Sequence, residues 1–131
     1  MGLSTEELIL AAFELSQASV ALRARVGTNT GIGSEALVAD GTESQKQRWL
    51  PPLIAGQDRA CFGVTEPNTG LNTLKLKTRA VREGDHYVVQ GQKVWISTAQ
   101  VANKILLLAR TTPVEDCRGT EGLSLFYTDL D

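Results

Sequence analysis

Thr65, Glu66 and Pro67 stand where the apolar run of residues 61–64 stops, and Asn68, Thr69 and Gly70 follow them. A hydroxyl and a carboxylate at a strand's exit are placed for ligand chemistry, because sheet proteins commonly meet their ligands beyond the ends of strands. Phe62, Gly63 and Val64 read as the last residues of a buried strand. Pro67 has no N–H to continue a ladder, and its ring disfavours helical dihedrals at Glu66. Residues 68–70 then make a turn whose exposed N–H groups suit an anion. The same residues also fit an ordinary strand that ends in a proline turn and binds nothing, and the stretch alone does not separate the two readings.

Elements on both sides must hold this stretch in place. Ser4 with Glu7 forms a capping box, and Leu8, Ala11, Ala12, Leu15, Ala18 and Leu22 then recur at helical spacing. Periodicity predicts one amphipathic helix with a core face, running to about Val26. The stretch VGTNTGIGS, residues 26–34, reads as a loop by propensity, since Gly27, Gly31 and Gly33 would each cost a helix about 1 kcal/mol against alanine. Gly41 reads as a stop, and Thr42 with Gln45 caps a short helix through Leu50, which Pro51 and Pro52 end or extend by a turn. Trp49 is expected to pack inward, with Lys46, Gln47 and Arg48 on a solvated face. From residue 59 the pattern turns extended: 59–64, 74–82, 86–90, 93–97, 104–110 and 123–129 are strand-like, and Gly84 with Asp85 turns a hairpin. Helices followed by short strands predict an α+β chain, with a boundary at residues 56–58 placed on the change of period alone.

Length and composition bound the function. A chain of 131 residues, 42% apolar and with net charge −2, supports one ordinary core and is not basic enough for nucleic acid. No apolar run is long enough to span a bilayer, residues 1–6 do not make a myristoylation pattern, and no signal segment is expected. The two cysteines, Cys61 and Cys117, are expected as free thiols in a reducing compartment, without the spacing of a metal site.

Three blocks in order carry a family resemblance: GTESQKQRWLPPLIAG at 41–56, then Thr65, Glu66, Pro67 and Gly70, then Gly91, Lys93, Trp95, Ile96 and Ser97 within GDHYVVQGQKVWISTA. Together they resemble the acyl-CoA dehydrogenases over essentially the whole chain, as a middle piece of the family protein. The resemblance implies the C-terminal part of a helical domain at residues 1–57 and the first part of a mainly antiparallel, barrel-like β domain at 58–131. It also implies a short break near Ala18 and Ser19, with a second helix reaching Asp40, and passage of the fatty acyl tail along the glycine-rich stretch 26–34.

The chemistry implied is FAD-dependent α,β-dehydrogenation of an acyl-CoA thioester. By the resemblance, the backbone of Val64 and Thr65 and the Thr65 hydroxyl meet the pyrimidine edge of the flavin. Phe62 falls where the family often has an aromatic near the flavin, Trp95 packs on the ring face, Ser97 reaches N5, and Gly63 and Ile96 belong to the same cofactor-binding set. A tryptophan here is also compatible with plain core packing. Gly70 and Leu71 fall where the family holds cofactor phosphate or CoA. The family commonly has Ser then Asp after that glycine, and this chain has Leu71 and Asn72, so only the Leu71 N–H can serve. The family's catalytic glutamate has no counterpart among these residues, and the chain alone is expected to be inactive. Glu66 is expected to fix the turn. Other implied features are an electron acceptor flavoprotein or oxygen, a homo-oligomer at natural length, and a cytoplasmic or mitochondrial matrix location. The rival readings are a flavin- or acyl-CoA-binding module without turnover and a related acyl-CoA oxidase or flavin monooxygenase.

Overall fold

A computed structural model describes residues 2–131, and its architecture is α+β, with helices leading into a five-stranded sheet. Ser4 opens α1 (Thr5–Ala18) with the expected capping box: its hydroxyl accepts from Glu7 N–H at 3.3 Å, and its N–H donates to the Glu7 carboxylate at 2.7 Å. The helix does not run through to Val26. Ser19 is extended, and its hydroxyl accepts from Leu22 N–H to cap α2 (Val20–Gly27), so the break falls where the family resemblance puts it. The core face expected of this region is only partly covered: Ala12 and Leu15 are half-buried, Leu8, Ala11, Ala18 and Leu22 are exposed, and no residue of α1 or α2 is fully buried.

The loop expected at residues 26–34 is instead helical. The path continues through a π turn (Thr28–Ile32), kinked at Gly31, and into α3 (Glu35–Asp40). Hydroxyls donate back along the helix, Thr28 to the Ala24 carbonyl at 2.8 Å and Thr30 to the Val26 carbonyl at 2.9 Å, bonds that accompany a bend and do not themselves favour helix. Local propensity is overridden by tertiary contact: the Asn29 carboxamide accepts from Ala60 N–H at 2.7 Å. A Cβ on Gly33 would lie 3.0 Å from that of Ala60, so the smallness of this glycine admits the chain's own first strand. After Gly41, Thr42 and Gln45 form the second capping box, and α4 (Glu43–Ile54) runs past Leu50 with Pro51 and Pro52 inside it.

The strands are β1 (Ala60–Gly63), β2 (Arg79–Glu83), β3 (His86–Gln90), β4 (Lys104–Arg110) and β5 (Leu123–Asp129). The sheet is mixed: β2–β3 and β4–β5 pair antiparallel, and β1 and β2 each pair β4 in parallel. Along its whole length β4 gives one edge to β5. On the other edge β1 takes residues 104–107 and β2 meets only Arg110, so residues 64–78 leave and re-enter the sheet on one side of β4. Leu37, Leu53 and Ala60 form the core between helices and sheet. Trp49 packs inward as expected, edge-on to Tyr127 with ring centroids 5.3 Å apart.

Two expected strands are corrected. Residues 74–78 are not extended ladder: a 3-10 turn (Thr73–Lys75) comes first, and the N–H groups of Lys77 and Thr78 go to the Glu66 carboxylate, so β2 begins only at Arg79. Residues 93–97 are not a strand either, because Trp95 takes a left-handed backbone at φ 59° and leaves the extended path.

Candidate flavin-facing site

The site is built from the exit of β1 and the loop after β3. Gly63 is buried at the end of β1 for a packing reason: a Cβ there would approach Ile105 Cδ1 to 2.8 Å and Leu107 Cδ1 to 3.2 Å. Phe62, Val64 and Thr65 are half-buried beside it. The loop is then laid onto this exit by two bonds. Val94 N–H donates to the Thr65 carbonyl at 2.9 Å, and the Lys93 ammonium donates to the Val64 carbonyl at 3.0 Å. Residues widely separated in sequence are thereby brought together, and Trp95, Ile96 and Ser97 follow directly from the contact.

Glu66 holds the arrangement from beneath. It is only 7% exposed, and the turn above it is closed by Glu66 N–H to Thr69 carbonyl at 2.8 Å and the reverse bond at 3.1 Å. One carboxylate oxygen accepts from Lys77 N–H at 2.6 Å, and the other accepts from Thr78 N–H at 2.8 Å and from the Lys93 ammonium at 3.0 Å. Burial acts to raise the Glu66 pKa, but these donors, with the adjacent Thr78 hydroxyl, overcome it and hold the carboxyl down at about 2. The Thr78 hydroxyl contributes by proximity, since it makes no full hydrogen bond of its own. Glu66 is thus an ionised anchor with its lone pairs occupied, which suits fixing the turn and not accepting a proton. A Cβ at Gly91 would run into Thr78, so the loop crosses this anchor at close range.

The loop itself differs from the anchor. Trp95 is 91% exposed, which excludes the plain core reading for it in this chain. Trp95 and Thr98 are the described residues other than glycine with positive φ, 59° and 66°, and they bracket Ile96 and Ser97. Such strain persists only where surrounding structure imposes it, and here the Val94 and Lys93 bonds lie immediately before it. Ile96 is half-buried, while Ser97 is exposed and its carbonyl accepts from the Thr98 hydroxyl at 2.6 Å. Gly70 and Leu71 are not drawn into this contact; they sit exposed just past the turn. Cys61 is fully buried and free, and burial pushes its thiol pKa up, so it stays neutral. Lys93 is the residue whose part sequence reasoning missed. Its signal was there only as residue type, a lysine in the third motif block and a glutamate in the second.

Comparison with known proteins agrees with this layout. The family model described as acyl-CoA dehydrogenase, N-terminal domain, matches residues 1–57, and that described as acyl-CoA dehydrogenase, middle domain, matches residues 61–131. The chain therefore belongs to the acyl-CoA dehydrogenase family. It is 38% identical over 130 residues to (2S)-methylsuccinyl-CoA dehydrogenase of Cereibacter sphaeroides, covering 98% of this chain and 23% of that protein. Among solved structures, glutaryl-CoA dehydrogenase of Mycobacterium smegmatis in complex with FADH2 matches with TM-score 0.79 and 33% identity, over 92% of this chain and 29% of that one. A structure described as an electron transferring flavoprotein of Acidaminococcus fermentans matches with TM-score 0.90 and 32% identity, over 99% of this chain and 33% of that one. The chain spans about a quarter to a third of the length of such relatives, between 23% and 31% for the first three curated ones.

Proposed function

We propose that this chain supplies the flavin-ring edge and part of the acyl-CoA contacts of an FAD-dependent acyl-CoA dehydrogenase. The carrying observation is the latch between the two motif blocks, Val94 N–H on the Thr65 carbonyl and Lys93 on the Val64 carbonyl, which presents Thr65 beside an exposed tryptophan. The residues fit the cofactor: Trp95 has a large bare aromatic face, and Thr65 offers a half-buried hydroxyl and an N–H that donates to no backbone carbonyl in the turns and loops. When bound, FAD would supply the acceptor for the hydride that leaves the β-carbon of the thioester. Val64 and Thr65 would hold the pyrimidine edge, where negative charge grows on reduction, and fixed donors stabilise such charge. Trp95 would cover the ring face and Ser97 would reach N5, with the half-buried Ile96 between them in sequence. The Leu71 N–H would contribute to holding the CoA or cofactor phosphate, without the hydroxyl the family commonly places there.

The base that takes the α-proton is assigned to no residue of this chain, and Glu66 is unsuited to the task because its lone pairs are committed. An electron acceptor flavoprotein, a homo-oligomer and a cytoplasmic or matrix location complete the proposal, the last supported by two unpaired thiols. The natural-length protein tests it. Bound FAD that bleaches anaerobically with an acyl-CoA is the expected result. FAD that binds and never bleaches with any acyl-CoA would favour a binding module, and no FAD uptake at all would overturn the assignment. Thr65→Val keeps the shape and deletes the hydroxyl. Because a hydrogen bond to a charged group is worth about 1.5–3 kcal/mol, against about 1 for a neutral one, the two-electron potential should fall by tens of millivolts, at about 30 mV per 1.4 kcal/mol. An unchanged potential with FAD still bound would mean that Thr65 does not face the ring.

A further inference from the structure

Lys93 does more than tie a loop down. Its ammonium and the Glu66 carboxylate are almost out of water, with side chains 8% and 6% exposed. The ammonium donates to two acceptors, the Glu66 carboxylate and the Val64 carbonyl, each at 3.0 Å. The Val64 carbonyl and the Thr65 N–H are opposite ends of one peptide group. A cation on the oxygen draws electron density away from the nitrogen and makes the N–H a stronger donor, and in a desolvated setting this polarisation is not screened. The Thr65 N–H is the end left without a backbone acceptor in the turns and loops. The countercharge on Glu66 is meanwhile shared with the N–H groups of Lys77 and Thr78, which point it toward the start of β2.

We propose that Lys93 is a polarising and positioning residue of the redox site: held by Glu66, it strengthens the Thr65 N–H as a donor toward the pyrimidine edge, so that reduced FAD is bound in preference to oxidised FAD. This rests on the flavin reading above and adds a cause for the potential that no contact with the ring itself supplies. Lys93 would touch neither substrate nor cofactor.

The test uses the natural-length protein loaded with FAD. Lys93→Met keeps the buried stem and removes the charge. It should cut the preference for reduced over oxidised FAD about tenfold, which is a fall of about 30 mV in the two-electron potential, with little change in oxidised FAD affinity. Glu66→Gln leaves the ammonium uncompensated and should move the potential the opposite way, while Lys93→Arg should bring it back toward the parent value. A purely structural role would weaken both redox forms alike. A parent potential in Lys93→Met, or shifts of the same sign in Lys93→Met and Glu66→Gln, would overturn the proposal. Should Lys93→Met take up no FAD, the nitrogen–proton NMR signal of the Thr65 amide in the cofactor-free proteins decides. An upfield move of that proton on loss of the cation supports polarisation, and an unmoved signal overturns it. A parent protein that binds no FAD would instead fail the flavin reading itself.

Discussion

Helices α1 and α2 and the turn at Glu66 are opposites. The helices carry an apolar stripe of which only Ala12 and Leu15 are even half-buried, while the turn carries a carboxylate and buries it almost completely. The helices are held by local devices, the caps of Ser4 and Ser19, each satisfied within a few residues of sequence. The turn is held by groups that arrive from residues 77, 78 and 93. Hydrophobic pattern thus does not say what a chain of this length buries, and a charged group is buried safely when each lone pair has a donor.

The strongest way to break the contrast is Glu66→Ala in the 131-residue chain. It strands the Lys93 ammonium and two N–H groups in the interior, and removing one partner of a buried pair costs about 3–5 kcal/mol, read as a lower urea midpoint. The same carboxyl makes the parent acid-sensitive. Its folded pKa, about 2, lies below the ordinary value of 4.5, so its contribution is complete above pH 4.5 and drains away as pH falls toward 2. That linkage amounts to about 3 kcal/mol, and Glu66→Ala should flatten this part of the pH profile. A parent whose stability is level across that range would contradict the anchor.

Gly63→Ala should come next. Its new methyl meets Ile105 at 2.8 Å where β1 pairs β4, and overpacking of this kind costs about 1–3 kcal/mol. The smallest effect is expected in the helices. Phe13 is 66% exposed, so Phe13→Ser should shift the stability of the chain by no more than about 0.5 kcal/mol, despite deleting the largest apolar side chain of α1. A loss comparable with that of Gly63→Ala would show the exposed apolar side chains of α1 to be covered in solution and would erase the contrast.

Part of the molecule was written locally. Both capping boxes, the hairpin in which Glu83 pairs His86 around Gly84 and Asp85, and strands β3, β4 and β5 follow from residues a few positions apart, and the structure returns them. So were the motif blocks at Thr65–Glu66–Pro67 and Gly91–Ser97, because turn chemistry and residue type are properties of the sequence itself. Other features had no local signal. The glycine-rich stretch became helix because Asn29 found Ala60 N–H, residues 77–78 stayed out of the ladder because Glu66 took their N–H groups, and residues 93–97 bent away at Trp95. In each case the deciding partner lies far along the chain, so short-range propensity lost to a hydrogen bond that exists only once the fold has formed. The same holds for the pairing of Lys93 with Glu66: the sequence determined that both charges were present, and only the tertiary structure could decide that they meet, out of water, beneath Thr65.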